Sequence, residues 1–269
     1  DYDDLKQKLK SSDKKTLVTL MHANNEIGNL LDLKKVQQMC EEAGALFHTD
    51  TVQTMGHFRI DLQKTPVHFI TGSAHKFHGP KGVGFLYIDK RIHIDALIRG
   101  GSQERNLRAG TENVAGIVGM SRALDLAYAH IDEHAERISE LKAYMKEKLV
   151  NEVPGIEIHG CPQRSLYTVL NVGLPSVDHA EMLLFLLDID GIACSGGSAC
   201  SSGSNQGSHV LRALNIDTTK PGVRFSFSRY NTREEVDYAI ERLKHHLKSH
   251  NPDSEKRNPK NTSAGKVIV

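Results

Sequence analysis

One lysine stands in a short stretch whose other residues are small, polar or turn-forming. Lys76 lies in "TGSAHKFHGPKGVG" (71–84), with Ser73 and His75 just before it. The apolar run "VHFITGS" (67–73) predicts a buried strand, so Lys76 falls at that strand's carboxyl end, where ligands bind in open α/β sheets. A lysine in apolar surroundings there would have a lowered pKa and could attack a carbonyl carbon. A surface lysine in a Gly/Pro loop is the ordinary alternative.

A carboxylate and an amide follow the preceding predicted strand, "ALFHTD". Asp50 ends that strand, and Gln53 comes three residues later. Position alone favours an Asp that caps the following turn. Together with Lys76, however, Asp50 meets the needs of pyridoxal phosphate, which uses a Schiff-base lysine and an acid beside its pyridinium nitrogen. Ser73 and His75 could then donate hydrogen bonds to the cofactor phosphate.

Two later segments also carry residues suited to chemistry. Cys200 lies in the Ser- and Gly-rich stretch "GGSACSSGSNQGS", whose composition predicts a mobile loop with an exposed thiol. A linker with an incidental cysteine is the ordinary alternative, and metal binding together with Cys194 lacks further ligands at zinc spacing. Arg224, in "GVRFSFSR", is predicted at the head of a strand, where its guanidinium could hold a substrate carboxylate. Structural arginines are common, so a structural role is the ordinary alternative.

The order of elements predicts a layered α/β protein. Strands are predicted over 16–22 and 45–50, and the amphipathic segment between them predicts a helix that ends at Gly44, which together form a βαβ unit. Asn25 follows the first of these strands, and "GVGFLYI" predicts a further strand after the Lys76 turn. Two long helical patterns, 112–130 and 131–150, predict either one bent helix or two.

The domain organisation follows from a change in pattern near residue 131. We expect a large α/β domain over 1–130 and a smaller α+β domain over 131–250, in which short strands and helices mix. The tail, 251–269, is polar and contains proline, so it is predicted to be disordered.

The composition limits the classes of function. The 34 basic and 33 acidic residues give a net charge of +1, which provides no overall field toward nucleic acid or an anionic membrane. Four cysteines without a CxxC pair favour a reducing cytoplasm. No apolar run is long enough to span a membrane, and no export signal is recognisable. The chain begins with Asp1 in place of Met, so we expect that residue 1 is not the natural start of the protein.

Six motifs in order, from about Thr16 to Leu247, resemble the cysteine desulfurases of the NifS/IscS type. These enzymes belong to the class V aminotransferase family, within fold type I of the pyridoxal-phosphate enzymes. A chance match at six places in register is very improbable. The motifs are "MHANNEIG", "HTDTVQ", "SAHKFHGPKGVGFLY", "GGSQERNLRAGTEN", "GGSACSSGS" and "RFSFSR".

The resemblance implies a fold, a cofactor and a reaction. The fold would be the three-layer, aspartate aminotransferase-like large domain followed by the small α+β domain. The cofactor would be pyridoxal 5'-phosphate, and the reaction would convert L-cysteine to alanine with the sulfur held on Cys200 as a persulfide. The expected partners are an iron–sulfur scaffold or another sulfur acceptor and a second subunit of a homodimer, with no nucleic acid and no membrane.

The resemblance also assigns roles to single residues. Lys76 would carry the cofactor, Asp50 would keep its pyridine nitrogen protonated, and Gln53 would bind its phenolic oxygen. Phosphate ligands would be Ser73 and His75, with Thr111 reaching the neighbouring subunit's phosphate. Asn25, beside the cofactor, and Arg224 would face the substrate carboxylate, and Cys200 would be the nucleophile.

About the first third of the family's sequence has no counterpart in this chain. That part carries a phosphate-binding turn at a helix N-terminus and a histidine that stacks on the pyridine ring. A fragment of a longer enzyme, a separate chain for the rest, and an inactive truncated product are the three explanations. The reactive residues that are present favour the first. A selenocysteine lyase, or another fold type I lyase, is the enzymatic alternative to a desulfurase.

Overall fold

The chain divides into two compact units in a computed structural model. The first comprises Asp1–Asn24 and Leu30–Ile131, and the second comprises Asn25–Asn29 and Asp132–Val269. The segment Asn25–Asn29 therefore belongs with the second unit, although its neighbours on both sides belong to the first. The predicted disordered tail lies outside the described residues except for Val267–Ile268. The structure describes residues 1–175, 182–196, 208–217, 220, 222–248 and 267–268.

A four-stranded sheet forms the centre of the first unit, with the strands in the order β1-β2-β3-β4. The first three strands are parallel, and β4 is antiparallel to β3. The predicted βαβ unit is confirmed, because helix α2 joins the parallel strands β1 and β2. The strands are β1 (Leu17–Met21), β2 (Leu46–Asp50), β3 (Phe69–Ser73) and β4 (Gly84–Ile88); the helices are α1 (Tyr2–Lys10), α2 (Leu33–Glu42) and α3 (Val114–Ala129).

Helix α2 forms where its capping residues and apolar spacing predict it. The Asp32 carboxylate accepts a hydrogen bond from the Lys35 amide at 3.0 Å and so satisfies a free donor of the first turn. Val36 and Cys40, one helical turn apart, are fully buried. Gly44 follows the helix with a φ of +64°, a left-handed conformation that glycine adopts without steric cost.

The two faces of the sheet differ in their cover. Val18, Phe47 and Ile70 are each the second residue of their strand, and they form one core cluster with residues of α1, α2 and α3. Side chains alternate along a strand, so the neighbouring positions point to the opposite face. On that opposite face Leu17 is 55% exposed and Leu86 is 50% exposed. Asp50 and Ser73 lie on this open face.

The second unit is an α+β arrangement built on the antiparallel sheet β5-β6-β8. All five residues of the central strand β6 are buried, so this strand is the core of the unit. A separate two-stranded ladder pairs β7 with β9. The strands are β5 (Glu157–His159), β6 (Val169–Gly173), β7 (Ile192–Ala193), β8 (Gly222–Ser226) and β9 (Val267–Ile268); the helices are α4 (Ile131–Glu152), α5 (Leu183–Ile189), α6 (His209–Ala213) and α7 (Arg233–Lys248).

The two long helical patterns form two helices. Helix α3 ends at Ala129 and α4 begins at Ile131, with His130 between them in a non-helical conformation (φ −122°). No helix within the described part of the chain is both long and apolar enough to cross a membrane.

Candidate active site

The turn that carries Lys76 follows β3 directly. Ala74–Phe77 form a single 3-10 turn in which Ala74 and Phe77 are buried, so His75 and Lys76 between them are exposed. The Ser73 hydroxyl and His75 Nδ1 are hydrogen-bonded at 2.8 Å. Among the described residues, Ala74 and Phe77 point into the core and leave Lys76 outside, without an apolar enclosure.

Asp50 ends β2, the strand next to β3, where it pairs in register with Thr71. Its carboxylate accepts a hydrogen bond from the Val52 amide at 2.8 Å, as expected of an Asp that caps a turn. The carboxylate is only half-buried and lies on the open face of the sheet. Gln53, also half-buried, lies in the turn that this hydrogen bond starts.

The turn after β2 packs closely against the turn that carries Lys76. A side chain at Gly56 would place its Cβ 2.7 Å from the Cβ of Phe77, and Gly56 has a φ of +79°. Only glycine fits both conditions without a shift of the backbone. His57 Nε2 lies 3.3 Å from the main-chain oxygen of Lys76. The structure therefore packs the turn after β2 (52–57, the Asp50 turn) against the turn that carries Lys76 (Ala74–Phe77, the Lys76 turn).

His22, directly after β1, is a residue beside Asp50 that the sequence pattern does not single out. Its amide donates a hydrogen bond to the main-chain oxygen of Asp50 at 2.8 Å, and its Nδ1 lies 2.8 Å from the Thr54 hydroxyl. The ring packs edge-on against Phe58. Burial lowers the pKa of His22 from 6.5 to about 4, so the imidazole is neutral near pH 7.

We expect the protein to lose stability between about pH 6.5 and pH 4 because of His22. An imidazole whose pKa is lowered in the folded state binds a proton more readily after unfolding, so its contribution is intact above pH 6.5 and is lost as the pH falls to about 4. The full shift corresponds to as much as about 3 kcal/mol. Urea unfolding of the wild type and of His22→Asn, followed by circular dichroism across this pH range, measures the difference.

The His22→Asn variant should lose less stability than the wild type over that window. His93→Asn, in the loop after β4, serves as the matched control and should follow the wild type. Parallel losses in the wild type and in His22→Asn would show that His22 does not titrate as its burial requires.

Arg224 and Asn25 meet within the second unit. The Arg224 guanidinium donates a hydrogen bond through Nη1 to the main-chain oxygen of Asn25 at 2.8 Å. Its Nε is buried and has no hydrogen-bond partner among the described residues. Arg224 lies at the middle of β8, not at the head of the strand as predicted, and its main chain pairs with Ser195 through two hydrogen bonds. A buried donor without a partner is costly, so we expect its acceptor to lie outside the described residues.

Thr111 is exposed in the segment that leads into α3. Among the described residues its side chain makes no hydrogen bond, and none joins it to Ser73 or His75. The three consecutive residues Glu104–Asn106, earlier in the same loop, all have positive φ values. The described residues thus show no hydrogen bond between Thr111 and the Lys76 turn.

The cysteines differ in how readily they ionise. Burial raises the pKa of both Cys40 and Cys194 to about 11. The pKa of Cys161 is lowered, chiefly by the backbone amides of Arg164 and Gln163. Cys200, the predicted nucleophile, lies outside the described residues. No cluster of three or more potential metal ligands occurs in the part of the chain that the structure describes.

Glu26 and Ser208 are two further buried polar residues that the sequence pattern does not single out. The Glu26 side chain is 2% exposed, Ser208 is 3% exposed, and the serine hydroxyl donates a 2.5 Å hydrogen bond to the Glu26 carboxylate. Their positions, 182 residues apart, give no sequence signal of contact. An acidic residue directly after Asn25 is the one local hint.

Comparison with known proteins places this geometry in a family. The family profile "Aminotransferase class-V" matches residues 1–239. The "Cysteine desulfurase IscS" of Dictyoglomus turgidum is 42% identical over 245 residues, covering 90% of this chain and 61% of that protein. A "Cysteine desulfurase" of Sinorhizobium fredii is 43% identical over 226 residues, covering 83% of this chain and 58% of its own length. The chain thus spans about 60% of the length of these relatives.

Solved structures support the same fold. A NifS-like protein from Rickettsia africae superposes with a TM-score of 0.83 at 30% identity, covering 91% of this chain and 66% of that one. A second protein titled "NIFS-LIKE PROTEIN" gives a TM-score of 0.80 at 37% identity, covering 90% of this chain and 64% of its own. The predicted fold class, an incomplete large α/β domain of the fold type I enzymes with a smaller α+β part, is confirmed. The chain belongs to the class-V aminotransferase family.

Proposed function

We propose that the protein is a pyridoxal-phosphate-dependent cysteine desulfurase. The observation that carries this proposal is the close packing of the Asp50 turn against the Lys76 turn, which holds an acid and an amine on neighbouring strand ends. The relatives named as cysteine desulfurases agree with it. Because the chain spans about 60% of their length, the proposal concerns the activity of the whole protein to which these residues belong.

The donor set on the open face of the sheet suits this cofactor. Ser73 and His75 offer a hydroxyl and an imidazole with one residue between them, and these would hold the phosphate. Lys76 would bind the cofactor covalently, and Asp50 would keep a proton on the pyridine nitrogen. Gln53 would donate to the phenolic oxygen. When bound, the cofactor supplies an electron sink for charge that develops at the substrate's carbon atoms.

Thr111 would serve the phosphate in the second subunit of a homodimer. Its exposure is compatible with a role across an interface. We also propose that the protein works in the cytoplasm and passes sulfur to an iron–sulfur scaffold or another acceptor protein.

Arg224 and Asn25 would bind the carboxylate of L-cysteine. The Arg224 guanidinium is oriented by its hydrogen bond to the main-chain oxygen of Asn25, and its buried Nε is left for an acceptor. A carboxylate satisfies such a donor better than a neutral group, because the hydrogen bond is charge-assisted. The Asn25 side chain would contact the same end of the substrate.

Cys200 would take the sulfur as a persulfide. Its thiolate attacks the sulfur of bound L-cysteine and forms a sulfur–sulfur bond. The carbon–sulfur bond breaks with its electron pair left on carbon, which takes up a proton to give alanine. Cys194 is a poor nucleophile by comparison, since burial raises the pKa of its thiol to about 11.

Purified protein from the complete reading frame should show the visible absorbance of a lysine-bound cofactor and should release sulfide when L-cysteine and a thiol reductant are added. Selenocysteine, offered at equal concentration, distinguishes a desulfurase from a selenocysteine lyase, since a lyase would turn over selenocysteine alone. Protein with neither the absorbance nor sulfide release would defeat the proposal.

A further inference from the structure

A network of buried and partly buried hydrogen bonds in the second unit joins the Asn25–Glu26 segment to three elements, β6, β8 and α6. Asn171, in β6, donates from its side-chain amide to the main-chain oxygen of Glu26 at 3.1 Å. Its residue partner across the ladder is Arg224 in β8, whose guanidinium holds the main-chain oxygen of Asn25. Two consecutive carbonyl groups of this segment are therefore fixed by two neighbouring strands.

The Glu26 side chain extends the same network to α6. Ser208 is the N-cap of α6: its hydroxyl accepts a hydrogen bond from the Leu211 amide at 3.1 Å and donates to the Glu26 carboxylate at 2.5 Å. A distance this short is typical of a hydroxyl that donates to an ionised carboxylate. Ser208 directly follows the segment 197–207, which contains Cys200. Glu26 thus connects the segment held by Arg224, the proposed ligand of the substrate carboxylate, with Ser208, which follows the segment that contains Cys200.

Holding two elements together through a buried carboxylate requires an unfavourable desolvation of that carboxylate. Its burial is unfavourable unless hydrogen bonds compensate, and an apolar side chain of similar volume is often as good for stability. What the carboxylate adds is a directional contact with one defined geometry. Such a contact suits a position where the start of α6 must keep a fixed distance from Asn25.

We propose that Glu26 is a positioning residue for sulfur transfer, acting through Ser208 on the end of the Cys200-bearing segment. This inference rests on the proposed desulfurase function. It deepens that function by naming a residue that sets the geometry of the transfer without contacting the substrate.

Exchange of the donor and the acceptor between the two positions tests the proposal. Ser208→Asp keeps an excellent N-cap for α6 but places a second carboxylate against Glu26. Glu26→Gln in the same protein removes that repulsion and supplies an amide that donates to the new carboxylate. Ser208→Thr keeps the hydroxyl and serves as the conservative variant. Glu152→Gln, a partly exposed carboxylate on α4, is the matched control.

The rate to measure is single-turnover persulfide formation on Cys200, by mass spectrometry, in protein from the complete reading frame. We expect Ser208→Asp and Glu26→Gln each to slow it about tenfold or more, as the loss of one charge-assisted hydrogen bond allows. The visible absorbance and its change on adding L-cysteine should stay as in the wild type. The double variant and Ser208→Thr should recover most of the rate, and Glu152→Gln should not lose it.

Hydrogen exchange at the Leu211 amide gives a second readout that needs no turnover. Its protection should fall in Glu26→Gln and return in the double variant. If either single variant fails to fold, Glu26→Ala and Ser208→Ala, alone and together, replace the swap of donor and acceptor as a double-mutant cycle. Additive effects of the two substitutions on the rate of persulfide formation would overturn the proposal.

The wild-type protein distinguishes a failure of the positioning role from a failure of the desulfurase proposal. Wild-type protein that forms persulfide, together with single variants that keep its full rate or variants whose rates follow thermal stability alone, would overturn the positioning role and leave the desulfurase proposal intact. Wild-type protein that forms no persulfide on any cysteine would overturn the desulfurase proposal and the positioning role with it.

Discussion

Replacing Lys76 with alanine is expected to remove the visible absorbance of the lysine-bound cofactor and to lower cysteine-dependent sulfide release by at least about a thousandfold. The substitution removes both the covalent anchor of the cofactor and a group that transfers protons. Proton transfer by a side chain alone accelerates enzyme reactions by up to about 10⁴-fold. The exposed position of Lys76 in its 3-10 turn makes the substitution mild for the fold. Spectra and sulfide assays on protein of equal thermal stability measure both effects.

Lys81→Ala is the matched control for Lys76→Ala. Lys81 is an exposed lysine in the same Gly/Pro-rich stretch, five residues further along the chain. It should keep both the absorbance and the rate. A Lys76→Ala protein that retains the absorbance would assign the anchor to another lysine and remove the main support for the cofactor assignment.

The framework of the site could be predicted because local sequence encodes it. Each of the strands β1 to β4 is a short apolar run bounded by polar or turn residues, and each forms within one or two residues of its predicted bounds. Parallel pairing of β1 with β2 follows from the helix between them, since a crossover of that length returns the chain in the same direction. Asp50 and Lys76 could therefore be assigned to neighbouring strand ends from sequence alone.

The contacts between distant segments could not be predicted in this way. Asn25 follows β1 in the chain, yet its segment packs in the second unit, where Arg224 and Asn171 hold its backbone. No local pattern reports on such pairings, because they depend on which polar groups must be satisfied after the core has formed. Glu26 and Ser208 were missed for the same reason.

The sequence left open whether Lys76 is enclosed or exposed, and its exposure among the described residues has a local cause. A lysine among small residues at a strand end suggests an enclosed position, but Ala74 and Phe77 occupy the core beneath the turn and direct Lys76 outward. Sequence composition cannot distinguish these two outcomes, since both place the lysine between apolar neighbours. Any apolar cover over Lys76 must come from atoms beyond the described residues.

Cys200→Ala is expected to lower sulfide release by at least about a hundredfold while the cofactor absorbance and its change on adding L-cysteine persist. Loss of the nucleophile leaves binding of cofactor and substrate intact but removes the thiolate that takes the sulfur. Persulfide mapping by mass spectrometry after one turnover should locate the sulfur on Cys200 in the wild type and on no cysteine in the variant.

Two other cysteines, Cys194 and Cys161, are the alternative nucleophiles that this prediction must exclude. Near pH 8 only about one Cys194 thiol in a thousand is ionised, given its pKa of about 11, so Cys194→Ala should keep nearly the full rate. Cys161 is the more serious rival, because backbone amides lower the pKa of its thiol and favour the thiolate. Cys161→Ala with an unchanged rate would leave Cys200 as the nucleophile. Persulfide on Cys161 or Cys194 in the wild type, together with an active Cys200→Ala protein, would reassign the sulfur-transfer step.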